Sequence, residues 1–208
     1  MHVRVCAVVV ATALGSSVVS PASAQSSALA STSGEAPWRV FGGVGLGQVT
    51  DDEGSLGRGP ELTVGAGRQL SGTWSLEAVV LRHHHERGDA FRVDADVTSA
   101  IGRVVVHVGG EASTARFFAS VGAGVARHAG SVGFVGGQPE APVVGPRSSY
   151  ASTGGVAEFG LGLDIRAGRR WFIRPELRAR STHLDRSPHA PEPPYLTGVA
   201  GVTIGWRP

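Results

Sequence analysis

The sequence predicts an all-β chain, an eight-stranded antiparallel up-and-down transmembrane β-barrel, and three observations predict it. Apolar and polar residues alternate with period 2 in run after run from Trp38 to Trp206. The segments between these runs are short and long by turns. All four tryptophans fall on one side of the strand order that the runs imply.

The first residues must be set aside before the fold is read. Residues 1–24 carry a basic start (Arg4), an apolar run from Val5 to Leu14 and the small-residue ending Ala22-Ser23-Ala24. These are the three regions of a signal peptide, with cleavage expected before Gln25. The apolar run is too short to span a bilayer as a helix, which needs about 20 residues. Residues 25–37 are rich in Ser and Ala and read as a flexible leader; residues 38–208 are the expected barrel. Cys6, the sole cysteine, leaves with the signal peptide, so disulfides do not hold the exported chain together. It also lies too early to be a lipoprotein acylation site. Lysine is absent, the net charge is +2, and the arginines form no run, which gives no case for a nucleic-acid partner. No apolar stretch beyond the signal is long enough for a membrane helix. A barrel strand escapes that test, because only alternate residues meet lipid.

The strands follow in order. The first sets Trp38, Val40, Val44 and Leu46 against Arg39 and several glycines. The second sets Leu62, Val64 and Ala66 against Glu61, Thr63, Gly65 and Gly67. The third sets Trp74, Leu76, Ala78 and Val80 against Ser75 and Glu77. In the fourth, about 91–108, Val93, Ala95, Val97 and Ile101 share one parity and Val104, Val106 and Val108 the other, which predicts a β-bulge near Gly102-Arg103. The fifth sets Ala115, Phe117, Ala119, Val121, Ala123 and Val125 against Arg116, Phe118 and Ser120. The sixth sets Ala157, Phe159, Leu161, Leu163 and Ile165 against Glu158 and Asp164. The seventh alternates Trp171, Ile173, Leu177 and Ala179 with Arg174, Glu176, Arg178 and Arg180. The eighth ends on Leu196, Ala200, Val202, Ile204 and Trp206 against Thr197 and Thr203.

Strands two and three, four and five, and six and seven are joined by hairpin-length, Gly-containing turns. The other connections, 51–59, 82–90, 128–149 and 183–194, read as long polar or Pro/Gly-rich loops. That alternation fits short periplasmic turns and longer extracellular loops. It places Trp38, Trp74, Trp171 and Trp206, with Phe117, at the periplasmic edge of an apolar band, as an interfacial girdle. Phe91, Tyr150 and Tyr195 are assigned to the girdle at the opposite edge.

The parity opposite the apolar face carries charge: Arg39, Glu61, Glu77, Arg116, Glu158, Asp164, Arg174, Glu176, Arg178 and Arg180. In a soluble eight-stranded barrel the interior is apolar and these groups would be solvated outside. The small residues among them and the tryptophan edge favour the inverse, with the charges paired in a closed lumen.

The pattern resembles the small porin-like outer-membrane barrels: the OmpA transmembrane domain, OmpX and OmpW. The likeness runs from Trp38 to Trp206. It rests on the Gly-rich Phe41-Gly42-Gly43-Val44-Gly45-Leu46-Gly47, on Phe172-Ile173-Arg174-Pro175-Glu176-Leu177-Arg178, and on the final Gly201-Val202-Thr203-Ile204-Gly205-Trp206. The resemblance implies a Gram-negative cell envelope, contact with outer-membrane lipid, and delivery by the barrel-assembly machinery. That machinery reads a terminal aromatic residue in such families; here Arg207-Pro208 follow Trp206. The absence of a following peptidoglycan-binding domain is read as excluding a full OmpA layout.

His83-His84-His85, with Glu86 and Asp89, could ligate zinc, copper or nickel, and His128, His183 and His189 map to the same extracellular half. A regular strand cannot turn three consecutive rings to one ion, so no metal site and no cofactor are expected. Arg87-Gly88-Asp89 spells an adhesion tripeptide, but three residues recur by chance. Ser181, His183 and Asp185 lack the spacing of outer-membrane hydrolases, and no enzymatic activity is expected. The sequence therefore reads as an integral outer-membrane protein with a plugged lumen and surface loops for a structural or interaction role, with any extracellular ligand unidentified. A narrow channel for small or hydrophobic solutes and a soluble periplasmic ligand-binding barrel are the alternatives.

Overall fold

β-branched, aromatic and glycine residues in strict alternation give strands throughout. In the computed structural model, which describes residues 38–51, 54–88, 91–109, 113–138, 141–144, 147–185 and 194–208, they form nine. These are β1 (Trp38–Asp51), β2 (Gly54–Gln69), β3 (Trp74–Gly88), β4 (Phe91–Val108), β5 (Ala115–Gln138), β6 (Ala141–Val144), β7 (Ser148–Arg166), β8 (Trp171–Leu184) and β9 (Tyr195–Trp206). The expected signal peptide and leader lie outside the described residues, as does Asp89.

Eight of the strands close a ring in the order β1-β2-β3-β4-β5-β7-β8-β9, antiparallel at every pairing, with β9 returning to β1. The short β6 pairs with the far end of β5, Val135 opposite Val144. Following paired residues around the ring from Trp38 leads through Arg68, Leu76, Val104, Val121, Phe159, Ala179 and Gly198 back to β1 at Gln48, ten residues on. Eight strands with a shift of ten tilt by about 40° and give a backbone cylinder of about 8 Å radius, which side chains fill.

The turns at the tryptophan end are tight. Between β2 and β3 the Trp74 amide donates to Ser71 Oγ at 3.1 Å and the Leu70 amide to the Trp74 carbonyl at 2.9 Å. Between β7 and β8 the Ala167 amide donates to the Trp171 carbonyl at 3.0 Å, and Gly168, at φ 102°, takes the left-handed position that the turn requires.

Two expectations are corrected. β4 carries no bulge: its register runs unbroken against β3 from Gly88↔Arg92 to Trp74↔Val106 and against β5 from Phe91↔Phe134 to Val108↔Phe117. Val93, Ala95, Val97 and Ile101 are buried inside the barrel, while Val104 and Val108 face out. The apparent switch of parity came from apolar residues on both faces of one straight strand. The segments expected as long loops are also shorter than supposed, because β3 runs on to Gly88 and β5 to Gln138. Outward residues there turn polar (Arg82, Glu86, Arg127), so apolar alternation ends while the strand continues.

The polarity of the barrel is inverted relative to a soluble domain. Outward Leu46 is 71 % exposed and Phe117 69 %, whereas Arg174 inside is 0 % exposed. No helix among the described residues is long and apolar enough to cross a membrane, which says nothing of a barrel.

Candidate functional site

The lumen is built from the inward parity of all eight barrel strands. At its tryptophan end, Phe41, Phe118 and Phe172 each lie across a glycine of the adjacent strand, paired in register as Phe41↔Gly65, Phe118↔Gly162 and Phe172↔Gly205. A methyl group on Gly65 would meet Phe41 Cζ at 2.5 Å, and one on Gly162 would meet Phe118 Cε1 at 2.6 Å, so these glycines make room for the rings. The rings surround one cation. Arg174 Cζ lies 4.6 Å from the centroid of Phe118, 5.5 Å from Phe172 and 5.6 Å from Phe41.

Arg174 is also the centre of the ionic network. Its Nε donates to Asp164 Oδ1 at 2.6 Å and its Nη1 to Glu77 Oε1 at 2.8 Å. Arg39 reaches the same two acids, Glu77 at 2.6 Å and Asp164 at 3.4 Å, and donates to Ser75 Oγ at 2.6 Å. His107 Nε2 lies 2.9 Å from Asp164. Arg103 ties this layer to the next, touching Glu77 at 3.0 Å, Glu158 at 3.4 Å and Glu176 at 3.5 Å. Above it, Arg178 meets Glu61 at 2.7 Å and Glu176 at 3.4 Å, and Arg180 pairs with Glu61 and with Glu158 at 3.2 Å. Five carboxylates (Glu61, Glu77, Glu158, Asp164, Glu176) thus meet five buried guanidinium groups (Arg39, Arg103, Arg174, Arg178, Arg180), and the half-buried Arg207 reaches Asp164 at 4.0 Å. Closely matched numbers and multiple contacts per ion are what allow charges to be buried at all.

All ten expected lumen charges are buried. Nine of them join the network; Arg116 instead donates to the Gly72 carbonyl at 3.2 Å and holds the β2–β3 turn. Arg103 and His107 also line the lumen and were not among the expected charges, although the outward parity of Val104, Val106 and Val108 already sets both of them inward.

The aromatic residues divide. Trp38, Trp74, Trp171 and Phe117 stand on the outward face and are about half exposed or more, and Trp206 is half-buried beside Trp171. Tyr150 and Tyr195 are not outward: they are 6 % and 3 % exposed and lie inside against His128. Both have the inward parity of their own strands, which outweighs their position at a strand end. The side chain of Phe91 lies outside the described residues.

The histidine triplet also divides by parity. His83 and His85 point inward and are buried, while His84 points outward, 3.0 Å from Glu86 and 3.4 Å from Asp96. Ser181 and His183 lie on the outward face, so the barrel does not bring them to the lumen. The side chain of Arg87 lies outside the described residues, as do Asp89 and His189.

No family model and no curated protein matches the chain. Solved structures do. Neisserial surface protein A superposes with a TM-score of 0.58 at 12% identity, over 81% of this chain and 96% of that one. Ail, the attachment invasion locus protein of Yersinia pestis, gives a TM-score of 0.54 at 12% identity, over 83% of this chain and 99% of that one. At that identity the likeness is one of fold, and it agrees with the inverted polarity and the closed ring: this chain is an eight-stranded β-barrel of the outer-membrane type.

Proposed function

We propose that the protein is an integral outer-membrane barrel with a lumen closed to solutes, and that its role is non-enzymatic: it anchors surface-exposed hairpins and supports envelope integrity or surface interaction. One observation carries this reading. Arg174 on β8 touches Glu77 on β3, four strands away in a ring of eight, so this contact crosses the lumen from wall to opposite wall. Phe41, Phe118 and Phe172 pack around it and leave little room for water. The outward tryptophans supply an interfacial belt on the periplasmic side, and the apolar band between the two edges meets lipid.

Purified protein in a planar bilayer is expected to show no stable unitary openings; regular openings by the native chain overturn the closed lumen. A second reading, a narrow path for small apolar solutes, draws on Val93, Ala95 and Val97, which give the opposite end of the lumen an apolar wall on β4. Under that reading the ion pairs act as a gate, and Glu176→Ala, which removes contacts to Arg103 and Arg178, raises conductance from a measurable native level. Under the first reading the native level is zero.

A further inference from the structure

Three imidazoles meet inside the barrel at the end away from the tryptophans. His83 and His85 stand two residues apart on β3 and so share its inward face. His128 on β5 occupies the same rung, through the pairings His83↔Val97 and Val97↔His128. The ring centroids are 5.7 Å apart for His83 and His85 and 5.3 Å for His85 and His128. All three side chains are sealed from solvent at 0 %, 0 % and 1 % exposure. Yet Nδ1 and Nε2 of both His83 and His85, and Nδ1 of His128, have no hydrogen-bond partner. Five buried ring nitrogens without a partner, in one place, are a cost to the fold that another ligand would relieve.

We propose that His83, His85 and His128 form a binding site for a divalent first-row transition ion, with zinc the representative case. Imidazole nitrogens bind zinc at about 2.0–2.1 Å in tetrahedral array, which places ring centroids about 5 Å apart, close to the spacing here. Among the described residues no three such side chains already converge on one point, and the His83 and His85 rings lie nearly parallel, 20° apart. Turning the rings about χ2, a broad and soft torsion for histidine, brings the nitrogens together. His128 already has the orientation of a ligand, since its Nε2 lies 3.0 Å from the Tyr150 hydroxyl, leaving Nδ1 to face the ion. A hydrogen bond on the far ring nitrogen fixes a ligand histidine in this way. Tyr195 packs edge-on against the same ring at 5.4 Å. The fourth position is left for a water molecule carried in with the ion. Glu61, 4.0 Å from His83 Nδ1, is engaged by Arg178 and Arg180 and stands below the site as a fixed negative charge. His84, outward against Glu86 and Asp96, takes no part.

The full chain, folded in detergent and checked by the shift in gel mobility on heating, is titrated with zinc by calorimetry. One ion per chain is expected. His84→Gln keeps that affinity, whereas His85→Gln and His128→Gln lose it by about a hundredfold or more, and Tyr150→Phe weakens it about 10–100-fold. Cobalt(II) added to the native chain gives the visible ligand-field bands of a four-coordinate site, a readout that needs no variant to fold. Absence of zinc binding and cobalt bands in the native chain overturns the proposal. So does binding that fails in His84→Gln and survives in His85→Gln and His128→Gln.

Discussion

Arg174 shows how a charged side chain becomes the centre of a core. Its planar guanidinium donates to Asp164 and Glu77 in its own plane and presents its faces to phenylalanine rings, a combination that a lysine ammonium cannot reproduce. Removing it takes the central cation from two buried carboxylates and leaves the lumen network one positive charge short, with Arg39 still reaching both acids. Arg174→Met is therefore expected to cost about 3–5 kcal/mol, measured by urea unfolding of the barrel in detergent or lipid, and Arg174→Lys is expected to recover only part of that loss. A loss below about 1 kcal/mol for Arg174→Met, the value of an exposed ion pair, would show that water enters the network. The residue itself was legible from alternation alone. Its partners were not, since Asp164 and Glu77 lie on β7 and β3, and only the closed ring brings them to β8.

β4 is the element where sequence and structure part. Ile101, Val104 and Val105 are all apolar, so the pattern does not say which face is which; apolar residues line the lumen there as well as the lipid side. The neighbours decide. β3 and β5 both hold unbroken registers against β4, and a bulge would have thrown one of them out of step. The barrel residues 38–208 hold no cysteine, since Cys6 is the sole one in the sequence, so single cysteines test the register directly. Along Ala100, Ile101, Gly102, Arg103, Val104, Val105 and Val106, a lipid-soluble thiol reagent is expected to label the even positions and spare the odd ones. A change of parity at 102–103, with Ile101 labelled and Ala100 spared, would restore the bulge and turn Ile101 out of the lumen. The tyrosines teach the same lesson from the other side: parity along the strand located Tyr150 and Tyr195 better than nearness to a strand end.

At the scale of the whole molecule, inverted polarity decides where the barrel is stable. Val44, Leu46, Val64, Val80, Val121 and Leu177 form an exposed apolar surface far too continuous for water. The barrel is accordingly expected in the detergent-extracted membrane fraction of cells, with a gel mobility that changes on heating. Recovery in the soluble periplasm without detergent would contradict a lipid-facing exterior.

The sequence by itself determined the eight barrel strands, which face of nearly all of them is charged, and the edge at which the tryptophans stand, because each of these is a property of alternation within one strand. Only the tertiary structure decided the ten-residue shift around the ring, the partners of every lumen charge, and the meeting of His83 and His85 with His128. Those depend on how strands far apart in the chain register against one another. Hydrogen bonding around a closed barrel sets that register, and no single strand records it.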